Sequence, residues 1–569
     1  MNLLEKMRLY AHVMKWLFAW KKYDLHYPPP VPDNPKFMTA WEAAKLIPDG
    51  AVLATSGIGG NQRCSLMYWA IRDMFKQTGH PRDLSLVNIG GQGGRGRIPG
   101  TLEELAVEGL IKQLFVSHTE TYKKQLQLAQ EGKLEVQCSL FGAITFAMRA
   151  QAEGRDHIIY DTGAGTFVDP RVGTGTRICP PDAPQYVEVT EEGRFKYWLP
   201  PIDTAVFNAP AADRKGNIYF KNCAVVGESH SIAMAAKRRG GRTIVNVGLI
   251  VEEGYDTDFL AADYVDAVVY WPETEQTVTI PHRKYWDCFT PYSKTPIREG
   301  LARARYINNI LGVMPKRTPA DVALARLGAQ VFTEQAHKGD HVDIGIGLPE
   351  EVARLLFESG AMKDLNMIVE SGAYGGLSAP GVFFGAAINP DQLVTSFDAF
   401  TRMYKRLDWV ILGALEVDSQ GNVNVSNRGP EPRNHVGPGG FIDLVTCAKN
   451  ILFCSAWSDN AKIEVHDDTV RIVEPGKSKF VDKVYEVTFN GPEGLKSGKN
   501  VFYITHLGAF RLTRRGMELI YVMPGIDVEK DIINSSSMKI VLPESGAPDV
   551  VSADVVTGRN FSVELKDRP

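Results

Sequence analysis

From Met38 onward, short apolar runs at 51–55, 84–89, 205–208 and 243–247 alternate with 3.6-period segments such as 231–239 and with glycine-rich turns. Runs of four to six apolar residues between turn signals fit strands buried on both faces. Their alternation with helical patterns predicts an α/β fold with a mainly parallel sheet. Ahead of this pattern, Leu4, Met7, Ala11, Met14 and Phe18 recur at spacings of three and four, one face of an amphipathic helix. It precedes Tyr27-Pro28-Pro29-Pro30-Val31-Pro32, a stiff extended linker. Packing on the protein's own globule or on a partner subunit is the expectation for this helix. A seat on a membrane surface is the alternative, because Trp16 and Trp20 with flanking lysines suit an interface.

The pattern occurs twice. Residues 202–217 align without a gap on 407–422, placing Asp203 on Asp408, Asp213 on Asp418 and Gly216 on Gly421, each 205 positions apart. Upstream, 84–94 resembles 365–375, and 56–59 resembles 344–347. The expected architecture is therefore two homologous, open, mainly parallel α/β halves related by pseudo-twofold symmetry, face to face. The first half spans 38–300 and the second 320–545; residues 1–37 carry the helix and proline linker, 301–319 join the halves, and 546–569 form a tail. A period this long, occurring only twice, is not a solenoid.

Composition narrows the class. With 569 residues, 44% hydrophobic and 23% charged, the chain is an ordinary folded protein rather than a disordered or fibrous one. A formal charge of -4 gives no overall basic field for nucleic acid or an anionic membrane, so nucleic acid is not expected as a partner and any polyanion must be met locally. Seven scattered cysteines without a CxxC pair suit neither a zinc site nor a disulfide framework, which points to the cytoplasm and to no bound metal. No run of about 20 apolar residues predicts an integral membrane helix.

Gly91-Gln92-Gly93-Gly94-Arg95-Gly96 matches GxGxxG directly after a strand. A pyrophosphate must rest on a helix N-terminus right after such a turn, but Ile98-Pro99-Gly100 delays any helix to about Thr101. A dinucleotide-dependent oxidoreductase is thus a weak reading. Gly494 to Asn500 imitates a phosphate loop with one residue too few, and Gly227-Glu228-Ser229-His230-Ser231 lacks the final glycine of a nucleophile elbow. Glu370 differs in kind. In Asn366-Met-Ile-Val-Glu370-Ser371-Gly372 a carboxylate closes an apolar strand and enters a glycine-rich turn, where parallel α/β sheets place their sites. The aligned residue of the first half is Ile89, so the duplicated scaffold does not itself require an acid there.

These segments, together with Gly345-Ile346-Gly347-Leu348-Pro349, Gly421-Asn-Val-Asn-Val425, Gly439-Gly440-Phe441-Ile-Asp443 and Met523-Pro524-Gly525-Ile526-Asp527, resemble the family I coenzyme A transferases in their fused two-half form. The likeness is greatest to the acetate/3-ketoacid and propionate enzymes. It implies a glutamyl nucleophile at Glu370, a coenzyme-binding loop at Gly345, Ile346, Gly347, Leu348 and Pro349 with Gly439 beside it, and a main-chain oxyanion donor near Gly440. Its side-chain oxyanion donor maps to Gln92, whose other reading is that it only caps its own glycine turn. The implied reaction moves coenzyme A from a short-chain or keto acyl-CoA to a free acid through a glutamyl-CoA thioester. It needs no tightly bound cofactor, and a homodimer or homotetramer is implied. With a reference pKa of about 4.3, the nucleophile is expected to be ionised at neutral pH. An acyl-CoA or ring-opening hydrolase on the same scaffold remains the alternative, and a non-catalytic binding module is a further one.

Overall fold

The computed structural model describes residues 1–19, 22–274, 286–312 and 314–568, Ala19 by its backbone alone. Trp20, one of the two tryptophans of the expected membrane-surface reading, lies outside the described residues. Helix α1 (Leu3–Ala19) forms but turns another face inward. Leu9, Val13 and Trp16 are buried, whereas Leu4, Met7 and Phe18 are 57%, 60% and 86% exposed. The segment carries two apolar stripes, and the one with Leu9 and Val13 fits a cluster of Trp286, Phe289, Ala304 and Ile307. Among the described residues no helix is long and apolar enough to cross a membrane.

The first sheet is built from β1 (Val52–Thr55), β2 (Leu84–Val87), β3 (Ile111–Val116), β4 (Glu135–Cys138), β5 (Thr204–Asp213), β6 (Arg242–Val251) and β7 (Ala267–Tyr270). They run parallel in the order β7-β6-β5-β1-β2-β3-β4. Every residue of β5 is buried, which is why its sequence reads as a continuous apolar run rather than an alternation. Helices α2 (Phe141–Ala152) and α3 (Ser229–Arg238) belong to this half.

The expected joint at 301–319 is largely helical. Residues Ile297–Leu311 form α4, closed by Gly312 in the left-handed conformation. Its arginines masked the inward spacing of Ala304, Ile307 and Asn308, all buried, and Arg303 holds Glu5 of α1 at 2.8 Å.

The second sheet uses β8 (His341–Ile344), then helix α5 (Leu348–Glu358), β9 (Asn366–Val369), helix α6 (Ser396–Lys405), β10 (Trp409–Gly413), helix α7 (Phe441–Cys447), β11 (Asn450–Cys454) and β12 (Asn500–Ile504). Its parallel core runs β9-β8-β10-β11-β12, and antiparallel strands β13 (Gly508–Thr513) and β14 (Gly516–Val522) extend it. The expected C-terminal tail is part of this half: Asp549–Val550 pairs with β14, and Val551, Val555 and Val556 enter its core.

The duplication is visible atom by atom. Asp203 accepts the Val52 N–H at 3.2 Å, and Asp408 accepts the His341 N–H at 3.0 Å, tying β1 to its parallel neighbour β5 and β8 to its parallel neighbour β10. Asp213 Oδ2 takes the Asn217 amide as Asp418 Oδ2 takes that of Asn422. Strand register confirms Ile89 as the counterpart of Glu370, because Leu53 pairs with Leu86 as Val342 pairs with Met367. It also corrects one alignment. Leu53 faces Thr204 as Val342 faces Trp409, so Ser56 matches Gly345, not Ile344. The shared Gly-Ile-Gly spelling had drawn the two loops one residue out of step.

Candidate active site

Glu370 is the first residue beyond β9, on a turn that only glycine permits. At Gly372 φ is +108°, and a Cβ there would lie 2.0 Å from the Val394 carbonyl oxygen. Ser371 Oγ donates to the Gly385 carbonyl, pinning the turn from the other side. The Glu370 side chain is 8% exposed. It lies directly on the main chain of Gly440, where an added Cβ would come within 1.7 Å of Glu370 Oε2. The 437–440 loop is in turn fastened to the first half. Gly439 N donates to Ser117 O at 2.8 Å, Phe141 N donates to Gly439 O at 3.1 Å, and a Cβ on Gly437 would meet the Ser117 carbonyl at 2.7 Å. Glu370 and Gly440, predicted from separate motifs, are thus brought into contact against the wall between the halves.

Two further acids crowd this wall. Asp343 is 4% exposed inside β8, and its Oδ2 is buried with no hydrogen-bond partner among the described residues. Asp443, fully buried on α7, accepts Gly142 N at 3.0 Å, Tyr160 Oη at 2.7 Å and Tyr404 Oη at 3.3 Å. Burial pushes the Asp343 carboxyl up to about 7 and that of Asp443 up to about 6. Glu370 is raised well above the usual carboxylate range, first by burial and then by the negative charges of Asp343 and Asp443. Burial thus works against the ionised form that the reference value favours at neutral pH, because the solvent that sets that value has been removed.

Gln92 also departs from expectation. Its Nε2 donates to Ser56 O at 3.0 Å and Asn61 O at 2.9 Å, and its Oε1 accepts from Tyr68 Oη at 3.1 Å. Both amide protons are committed, so Gln92 is not a free oxyanion donor but a staple for the 56–61 loop. Asn61 continues that loop into the second half, donating to Phe384 O at 2.9 Å, next to the Gly385 that receives Ser371. Sequence reasoning missed Asn61 and Asp343. Asp343 carried a readable signal, an acid within the otherwise apolar run of a buried strand.

The Gly345-to-Pro349 loop leaves the end of β8 beside Glu370. Gly345 N donates to Ile411 O at 2.8 Å, Gly347 has φ +92°, and Leu348 and Pro349 open α5. Ile346 is 47% exposed, and a Cβ on Gly439 would meet nothing within 4 Å. Both therefore border open space into which a ligand could enter. The other glycine motif is closed: Gly94 N and Gly96 N donate to Glu103 Oε2 at 3.0 and 2.8 Å. The GxGxxG turn gives two of the amides a pyrophosphate would need to the protein's own carboxylate.

Residues 37–264 match the coenzyme A transferase family. The chain is 29% identical over 513 residues to caffeate CoA-transferase of Acetobacterium woodii, covering 88% of this chain and 93% of that protein. It is 29% identical over 529 residues to acetate CoA-transferase YdiF of Escherichia coli strain K12, covering 91% and 95%. Its fold matches the crystal structures of acyl-CoA transferase YdiF from E. coli O157:H7, the apoenzyme and a thioester complex with CoA. For both the TM-score is 0.82 and the identity 26%, over 95% of this chain and 100% of that one.

Proposed function

The chain belongs to the family I coenzyme A transferases, and we propose that it moves coenzyme A between a short-chain or keto acyl-CoA and a carboxylic acid, with Glu370 as the covalent nucleophile. The observation that carries this reading is the contact of the buried Glu370 carboxyl with the Gly440 main chain. The thioester complex of the YdiF relative supports it.

A Glu370 carboxylate oxygen attacks the thioester carbonyl carbon. The C–S bond breaks, coenzyme A leaves as thiolate, and a mixed anhydride remains. The thiolate then attacks the glutamyl carbonyl, the anhydride C–O bond breaks, the first acid departs as carboxylate, and Glu370 holds coenzyme A as a thioester. A second carboxylate reverses both steps. Each addition develops an oxyanion. The Gly440 N–H, for which no hydrogen bond is found among the described residues, suits it, whereas the Gly439 N–H is already given to Ser117. The open edge formed by Gly345, Ile346, Gly347, Leu348, Pro349 and Gly439 suits the coenzyme. Burial of Glu370 keeps water from the anhydride, which favours transfer over hydrolysis. A homo-oligomer in a reducing cytoplasm is part of the same proposal, supported on the second point by seven free thiols.

The test is intact-protein mass after incubation with a panel of acyl-CoAs, followed by borohydride reduction and peptide mapping. A coenzyme A adduct on the Glu370 peptide, with parallel double-reciprocal plots for the two substrates, is expected. Release of free acid at full rate without an acceptor carboxylate would instead establish the hydrolase.

A further inference from the structure

We propose that Asp343 is a positioning residue of the transfer reaction, setting its own buried carboxyl against the nucleophile so that free Glu370 is disfavoured relative to acylated Glu370. The proposal rests on the reading of Glu370 as the nucleophile. Asp343 pairs in register with Ile368 of the neighbouring parallel strand. Paired residues and those two further along share one sheet face, so Asp343 and Glu370 project to the same side. The Asp343 Oδ2 is buried without a partner among the described residues, an arrangement that costs stability and that folding alone does not explain.

The repeat sharpens this point. The counterpart of Asp343 in the first half is Ala54, which faces Ala205 as Asp343 faces Val410, and the counterpart of Glu370 is Ile89. The scaffold closes with two apolar residues at these positions, and the two acids occur together only in the half that carries the Glu-Ser-Gly turn. The groups facing the pair do not neutralise it. Asp443 approaches from α7, already holding Tyr160 and Tyr404. Tyr374 follows on the next strand, where the charge of Asp343 acts on it and Arg402 lies over its ring at 4.9 Å. Among the described residues the charges acting on Glu370 are those of Asp343 and Asp443, both negative.

The chemical consequence follows from what happens to the Glu370 charge. The free carboxylate is an anion beside an anion. In the anhydride and the thioester, Glu370 is neutral, and during each addition the charge moves toward the Gly440 main chain, away from Asp343. A negative neighbour therefore raises the starting state more than the states that follow, which speeds acylation and favours the adduct. It also delays ionisation of Glu370 in the empty enzyme, because a like charge disfavours the charged form.

The experiment uses Asp343→Asn, which keeps the size of the side chain and removes the charge. The rate of adduct formation with acetyl-CoA is measured from pH 4.5 to 9 by quenched intact mass. In the wild type the acid limb is expected above the ordinary carboxylate range, and in Asp343→Asn it should move down by about one unit or more. At pH 8 the variant should form the adduct about 10-fold more slowly, on the same peptide. Asp343→Ala should show the same displaced limb, since it too removes the charge. A wild-type limb below pH 5, or identical limbs in the wild type and Asp343→Asn, overturns the inference and leaves Glu370 as nucleophile untouched. An adduct on a different peptide overturns the Glu370 reading itself. Should both variants fail to fold, the wild-type limb alone decides.

Discussion

Replacing Gly440 by alanine separates the chemistry from the packing. Gly440 has φ −86° and ψ 0°, a setting that L-residues also adopt, so a methyl group strains no main-chain angle. What it meets is the nucleophile. The new Cβ would lie 1.7 Å from Glu370 Oε2 and 2.9 Å from its Cδ, with Phe400 Cζ at 3.5 Å on the far side. To reach the 3.0 Å that real Cβ contacts respect, the carboxylate must retreat by about 1.3 Å. Reacting atoms must start about 3–3.5 Å apart and aligned, and a misplacement of about 1 Å costs about 100-fold. Adduct formation should therefore slow by about 100-fold or more, equivalent to about 2.7 kcal/mol at about 1.36 kcal/mol per decade. Stability should change little, because the end of a flexible side chain moves rather than the backbone. The assay is the single-turnover rate of coenzyme A adduct formation, read beside the thermal midpoint. A folded variant reacting within about threefold of wild type would refute the placement of the carboxylate on Gly440 at the moment of reaction. A variant that fails to fold would refute the claim that the clash is local.

Other perturbations test the remaining parts of the site. Glu370→Gln should abolish both the adduct and steady-state transfer with the fold retained; turnover near the wild-type rate would remove Glu370 from the chemistry. Gln92→Leu should leave Ser56 O, Asn61 O and Tyr68 Oη without their partner, each loss costing about 1–3 kcal/mol, so the thermal midpoint should fall by several degrees. A fall in kcat at an unchanged midpoint would instead put the amide on the substrate. Glu228 accepts the Thr145 hydroxyl at 3.1 Å, its Oε2 is buried without a hydrogen-bond partner among the described residues, and burial raises its carboxyl from the ordinary 4.5 to about 7. Its share of stability is thus complete below about pH 4.5 and is lost as pH rises through about 7, a difference of at most about 3 kcal/mol. Glu228→Gln should accordingly raise the midpoint at pH 8 and change it less at pH 5; an equal change at both would show that Glu228 is not buried as a neutral acid.

The fold was legible where burial is two-sided. Strands such as β5 and β6 announce themselves as mainly apolar runs, and Asp203, Asp213, Asp408 and Asp418 revealed the repeat because each makes the same backbone-capping bonds in its own half. The face of α1 was not legible, since two apolar stripes compete and only the shape of the Trp286 cluster selects between them. Nor was α4, whose arginines concealed its buried side. At the site, Glu370 and Gly440 were readable from strand ends and glycines. The commitments of Gln92 were not, because the carbonyls it binds belong to a loop 31 and 36 residues away in sequence, and a side-chain amide looks the same whether engaged or free. The ionisation of Glu370 could not be read either, for the acids that alter it come from β8 and α7 and meet only on folding.

That last failure shows how the site is built. A dry wall between the halves protects an anhydride, yet dryness also disfavours the carboxylate that must form it. Among the described residues no cation acts on Glu370 to relieve this opposition at the expense of its nucleophilicity. Asp343 and Asp443 act on it instead, so that on the proposed mechanism the enzyme is least comfortable when empty and ionised, and gains as the charge passes to an oxyanion at Gly440 and then leaves with the departing acid. The first half supplies the wall through Ser117, Phe141 and Gly142 while keeping Ala54 and Ile89 at its own equivalent positions. One copy of the duplicated fold thus provides the exclusion of water and the other provides the charge, and neither arrangement performs the transfer without the other.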